Sequence, residues 1–363
     1  MMDFDRLIQR AIDIQSIPAP TFHEEARRAY MQNEFKQAGL LDIEVDSVGN
    51  LLGRVPGSSK PALIISAHLD SVFPEHTPLE IQHTDNRIVG PGIGDNAISL
   101  AVLLELAIDL TSTQPAADVW LVANVGEEGL GNLLGMKEIA RRFGDEVSAY
   151  IVLEGMSLGQ IYNAGLPVRR YRLTVKTEGG HAWNHAGRTS AIHELMAVGS
   201  QVTKLPLPQQ IRTSLNIGQI DGGISVNSIA SRASLVMDLR SEGEATLEKL
   251  EQEVMKCIKD HPWGEARYEV EQIGQRPGGK LAEGHPLLSI AIDAVRSVGE
   301  CNVEIRSGST DANVPLSMGF PAICLGLTYG GGAHSLQEYI ELEPIVRGYQ
   351  ALVQLIQDVL ELD

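Results

Sequence analysis

Three stretches of the chain are apolar almost without interruption and are bounded by polar or glycine-rich segments: ALIISAH (62–68), the VWLVANV core of 117–128, and SAYIVLEG (148–155). Runs this short, rich in Val, Ile and Leu, suit strands buried on both faces, as in a parallel sheet. Between them lie segments with helical spacing. Asp3 to Ser16 reads as a helix, and Thr21 opens another, with Glu24 three residues on as in a capping box. Asn96 to Leu110 and Gly131 to Arg142 complete the alternation. Strand and helix in turn predict a doubly wound, mostly parallel α/β sheet.

The pattern changes near Gly165. YRLTVKTEG (171–179) alternates apolar and polar positions, as a strand with one solvated face does. A helix follows over 189–203, with Ile192, Leu195, Met196 and Gly199 on one face. Strands are expected at 211–220 and 229–240, a charged helix at 242–260, and a strand at 267–273. The order β-α-β-β-α-β predicts an inserted α+β, ferredoxin-like unit. RPGG (276–279) reads as a hinge, after which a helix (289–297), a buried strand (321–327) and a closing helix (343–360) resume the first pattern. The expected domains are therefore 1–165 with 280–363, and 166–279.

Composition narrows the function. A chain of 363 residues exceeds the size at which one core usually stops growing, so two domains are natural. The net charge of −18 repels phosphate backbones, which argues against nucleic-acid binding. Cys257, Cys301 and Cys324 are sparse and unpaired in spacing, which fits a reducing compartment. With no signal-like leader and no membrane-length apolar run, a cytoplasmic protein without membrane contact is expected.

The chemistry collects just past the ends of the predicted buried strands, where open α/β sheets bind ligands. His68 and Asp70 follow the first strand, Asp95 lies in GPGIGDNAIS (90–99), and Glu127 and Glu128 close the second. Glu154 ends the third, and His334 lies in GGGAHSLQEY (330–339). Singly each has an ordinary explanation: a structural histidine, a helix N-cap aspartate, an exposed acidic loop. Together they do not. Adjacent carboxylates at the end of an apolar strand repel each other unless something positive compensates, and a divalent cation does. A His, Asp and Glu set without thiolates suits Zn²⁺, Co²⁺ or Mn²⁺.

The ordered series H-L-D, G-x-G-D-N, G-E-E-G, L-E-G and A-H-S resembles the di-zinc metallopeptidases (clan MH) that include peptidase T, carboxypeptidase G and acetylornithine deacetylase. The G-G-H-x-W and G-G-x-S-V-N-S segments look most like peptidase T-like members. The resemblance implies two divalent ions, zinc by preference, with Asp95 bridging them, His68 and Glu154 completing one site, and Glu128 and His334 the other. It makes Glu127 the general base that activates a water shared by the metals, and Asp70 the partner orienting His68. It further implies that 166–279 is a lid and dimerisation domain of a homodimer, with His181 of EGGHAWNHAG (178–187) as an oxyanion donor. His185 and Trp183 become candidate specificity elements. Asn227, Arg240 and Asp311 match its substrate-contacting positions, although a surface ion pair explains Arg240 equally well and a helix N-cap Asp311. The expected activity is hydrolysis of short peptides by an exopeptidase of aminopeptidase, dipeptidase or tripeptidase type. An N-acyl-amino-acid deacylase uses the same core and is the alternative. A catalytically silent peptide-binding protein is the third reading, against which the complete residue set stands.

Overall fold

The computed structural model describes residues 2–57 and 59–362. They form two compact units, one of residues 1–165 and 279–363, the other of 166–278.

The first unit is built on a nine-stranded sheet. Its centre is four parallel strands in the order Ala117–Asn124, Ser59–His68, Val147–Glu154 and Ala322–Gly326. These are the uninterrupted apolar runs, and their interior positions are almost wholly buried, as two covered faces require. Ile98–Thr113 packs against Ser59–His68 and is buried from Ile98 to Ala107, with Phe4–Gln15 against it in turn. Pro286–Ser297 packs against Glu343–Leu360, and both touch the strands. The α/β architecture is that expected from the pattern. Because the strands are parallel and in register (His68 beside Asn124, Glu154 beside Gly326), their carboxyl ends meet at one edge.

The outer strands are different. Leu41–Val45 and Leu51–Val55 add an antiparallel flank beyond Ala117–Asn124. Gln160–Gly165, with Gly279–Lys280 antiparallel and Glu304–Gly308 parallel to it, forms the other flank. None of these strands was signalled by an apolar run. A small second sheet joins Gly330–Gly331, Tyr339–Glu341, Arg87–Val89 and Gln82–His83. It ties the loop before Asp95 to the loop around His334, and Gly90 N–H donates to the Glu338 carbonyl at 2.8 Å.

Several boundaries move. The strand expected over 117–128 stops at Asn124, because the ladder ends there and Val125–Glu128 turn across the strand ends. The helix expected from Gly131 starts at Leu134, after a short 3-10 turn at Gly129–Gly131. The helix expected from Thr21 starts at Glu25, and its cap residue Glu24 makes no side-chain cap bond.

In the second unit the chain order is strand, helix, strand, strand, helix, strand. Its four-stranded antiparallel sheet runs Thr213–Gly222, Arg232–Ser241, Val168–Lys176 and Arg267–Arg276. Ala191–Val202 and Glu244–Asp260 cover one face through Leu195, Val198, Leu247 and Val254 against Leu173, Leu235 and Met237. The arrangement is that of a ferredoxin-like split unit.

Candidate metal centre

Asp95 organises the site. Its Oδ1 lies 3.0 Å from His68 Nε2, and its Oδ2 lies 3.2 Å from His334 Nε2. One carboxylate thus faces two imidazoles through separate oxygens. Glu154 Oε2 is 4.0 Å from His68 Nε2, on the first side, and Glu128 Oε1 is 3.4 Å from His334 Nε2, on the second. One ligand atom each from His68, Asp95 and Glu128 also falls within 4.8 Å of the others. The structure therefore brings together residues that lie as far apart in sequence as 68 and 334.

The electrostatics show opposing charges held together out of water. Burial drives the Glu154 carboxyl well above its usual range, and Asp95, Glu127 and Asp311 push it further against the opposing pull of His68. Burial should also discharge His68, yet Asp70 and Asp95 overcome this and hold its pKa well above normal. Hydrogen bonds to Asp95 and Glu128 raise His334 to about 10. Burial opposes ionisation of Asp95, but His334 and His68 keep its pKa below the usual carboxylate range. The cluster gathers more carboxylate than its two imidazoles can neutralise, and a divalent cation supplies that compensation when its ligands are deprotonated. All the donors are nitrogen or oxygen, arranged about a shared carboxylate. The residue set fits a pair of such ions.

His68 and the Glu127–Glu128 turn are held from behind. Asp70 accepts the backbone N–H groups of Glu127 (3.0 Å) and Glu128 (2.9 Å) and the Thr21 hydroxyl (2.9 Å). His68 Nδ1 faces the Asp70 carbonyl at 3.0 Å and its carboxylate at 3.4 Å. Asp70 therefore braces both the imidazole and the Glu127–Glu128 turn. Glu24 Oε1 accepts the N–H groups of Phe22 and Gly126, each at 3.1 Å. Thr21 and Glu24 thus pair with the site and not with each other, and the capping box expected there is replaced by these longer contacts. Behind them Arg27, fully buried, donates to the carbonyls of Leu69 (2.7 Å) and Ile17 (2.7 Å), and burial lowers its pKa to about 10.

Glu338 was not foreseen. It is fully buried, and its Oε1 accepts the N–H groups of Gly94 (2.7 Å) and Asp95 (2.8 Å). Burial and the Asp95 charge push its pKa up to about 7. Its position in H-S-L-Q-E, beside His334, was the available clue. Groups that orient ligands in this way typically contribute 10–100-fold to metal affinity. Glu338→Ala is expected to weaken metal binding by about that factor, read by competition with a chelating dye. Unchanged affinity would remove Glu338 from this role. Gly155 contributes by lacking a side chain: a Cβ there would meet the Gly94 carbonyl at 1.9 Å, so the Glu154 and Asp95 segments touch only because it is glycine.

Asp311 is buried, accepts from Asn124 Nδ2 at 2.6 Å, and lies near enough to Glu154 to raise its carboxyl. It is not the cap of the short helix Asn313–Ser317, since that place belongs to Ala312. The remaining expected residues belong to the second unit. His181 Nδ1 accepts the N–H of Trp183 (3.2 Å), and His185 Nδ1 accepts the N–H of His181 (2.9 Å). The Asn227 carbonyl accepts from Ala182 N–H (2.9 Å), so the histidine loop and the G-G-I-S-V-N-S segment form one local structure. Arg240 Nε donates to Asp238 (2.6 Å), which also takes Arg170 (2.9 Å), so Arg240 makes the kind of ion pair that explained it equally well from sequence.

The model of peptidase family M20/M25/M40 matches residues 64–358, a span containing every residue of the centre. The chain belongs to this peptidase family. It is thereby placed among metal-dependent peptide hydrolases. A Bacillus subtilis (strain 168) protein, YqjE, is 22% identical over 99% of both chains. A tripeptidase from Staphylococcus aureus superposes with a TM-score of 0.81 at 22% identity, over 100% of both chains. The aminopeptidase PepT of Bacillus cereus gives 0.76 at 22% identity, over 99% of both. Among the described residues no helix is long and apolar enough to cross a membrane.

Proposed function

We propose that this family member is an exopeptidase that removes a residue from short peptides, using two divalent ions, zinc by preference. The observation that carries the reading is the division of the Asp95 oxygens between His68 and His334. His68, Asp95 and Glu154 would hold one ion, and Asp95, Glu128 and His334 the other. When bound, the ions supply Lewis acidity, polarising the scissile carbonyl and acidifying an attacking water.

The chain's own groups do the rest. Glu127 takes the proton from the attacking water and delivers it to the departing amine. Asp70 keeps the Glu127–Glu128 turn in place through the two N–H bonds it accepts. His181 donates to the carbonyl oxygen as charge develops on it. Asn227, Arg240 and Asp311 orient the substrate. The second unit serves as lid and as the contact between the subunits of a homodimer. The free Cys257, Cys301 and Cys324 support a cytoplasmic, reducing location.

A panel of di- and tripeptides assayed beside N-acetyl and N-succinyl amino acids, with zinc, cobalt or manganese, tests the proposal. Peptides are expected to be cleaved with the higher kcat/KM. Preferential deacylation would replace the peptidase reading with that of an N-acyl-amino-acid deacylase. Binding of peptides without turnover would make the protein a silent receptor.

A further inference from the structure

One residue beside the centre carries two unfavourable features at once. Phe22 adopts φ +75°, a conformation that suits glycine and is a marked departure for a bulky side chain. Its ring is also left in water, with 53% of the residue exposed. Neither feature helps the fold. Glycine would relieve the backbone and remove an apolar group from solvent.

The conformation is enforced from both sides. Thr21 is tied to the Asp70 carboxylate, and the Phe22 N–H is tied to Glu24, whose same oxygen holds Gly126 beside Glu127. Pro20 bridges to Ser71, and His23 N–H donates to the Pro20 carbonyl at 2.8 Å. The strained residue therefore sits within the frame that positions the general base. His334 shares the left-handed conformation, at φ +64°. Strain kept where surrounding bonds over-determine it is characteristic of functional sites.

Phe22 is also not the sole apolar group of this kind. Val72, Leu130 and Leu336 are exposed, and each stands two residues from a member of the centre: Asp70, Glu128 and His334 respectively. Exposed apolar residues that flank the carboxylate-bearing segments in this way match a substrate with a polar scissile bond and a large apolar side chain next to it. We propose that Phe22 is a specificity-determining residue, supplying the apolar contact for a leucine-, methionine- or phenylalanine-sized side chain of the peptide. This rests on the peptidase reading above.

The test uses zinc-loaded protein carrying Glu127→Gln, so that substrates bind without being consumed, titrated by calorimetry with leucylglycine and glycylglycine. Leucylglycine is expected to bind about 10-fold more tightly, the order of discrimination an apolar pocket achieves. Adding Phe22→Gly should reduce that ratio to near one, with Tm held or raised. Phe22→Leu should keep part of it. An unchanged ratio in Phe22→Gly overturns the proposal, and does so whether or not Tm falls. Failure of the Glu127→Gln protein with Phe22 intact to bind any of the dipeptides or N-acetyl amino acids overturns it too. The same ratio measured with N-acetylleucine and N-acetylglycine separates the two readings. Preference for these ligands ends the peptidase assignment, while their leucine-to-glycine ratio still tests Phe22.

Discussion

Glu127→Gln is expected to leave the metal content of the protein unchanged and to lower kcat by about 10²–10⁴-fold, the contribution of a positioned general base. Glutamine keeps the shape of the side chain and its acceptor oxygen, but it cannot take a proton near neutral pH. The backbone at 127 should not move, because Asp70 holds it through the N–H of Glu127 and not through the side chain. Loss of turnover without loss of metal is therefore the signature of a base. Near-normal kcat would withdraw that role from Glu127, and loss of zinc by elemental analysis would make it a ligand.

Asp95→Asn is expected to have the opposite pattern: both ions lost or weakened, and activity lost with them. Each oxygen of Asp95 faces a different histidine, 3.0 Å from His68 and 3.2 Å from His334. An amide offers one oxygen and one donating nitrogen, so only one side retains an acceptor, and the shared negative charge is gone. Divalent ions contribute several kcal/mol of charge stabilisation in the transition state. A loss of roughly 10³-fold or more in kcat/KM follows, since each 1.36 kcal/mol is a factor of ten. His68→Ala, in contrast, should weaken one ion more than the other. Full occupancy of two zinc ions in Asp95→Asn, by calorimetry or elemental analysis, would refute the bridging arrangement.

What could be read from the sequence depended on how far each signal reached. VWLVAN and IVLEG declared themselves as strands because burial on both faces demands uninterrupted apolar residues, and a carboxylate closing such a run is conspicuous. The flanking strands Leu41–Val45 and Glu304–Gly308 left no such trace, since their side chains are largely exposed, and the second also finds its partner, Gln160–Gly165, far away in sequence. Thr21 and Glu24 misled for the same reason. Their spacing fits a local capping box, yet their oxygens pair with Asp70 and Gly126, 49 and 102 residues away. Beyond its nearness to His334, nothing local in the sequence sets Glu338 apart from other acidic loop residues. Only the small sheet that brings 330–341 against 87–89 makes it a buried acceptor for Gly94 and Asp95.

The place where the second unit enters the chain has a bearing on how such a molecule could be assembled. Gly165 and Gly279 face each other as antiparallel partners in the nine-stranded sheet, and Val168 and Arg276 do so in the second unit's sheet. Host and guest thus each present two ends a hairpin's width apart. A module with neighbouring termini can therefore be spliced at this seam without a strand of the nine-stranded sheet being broken or re-paired.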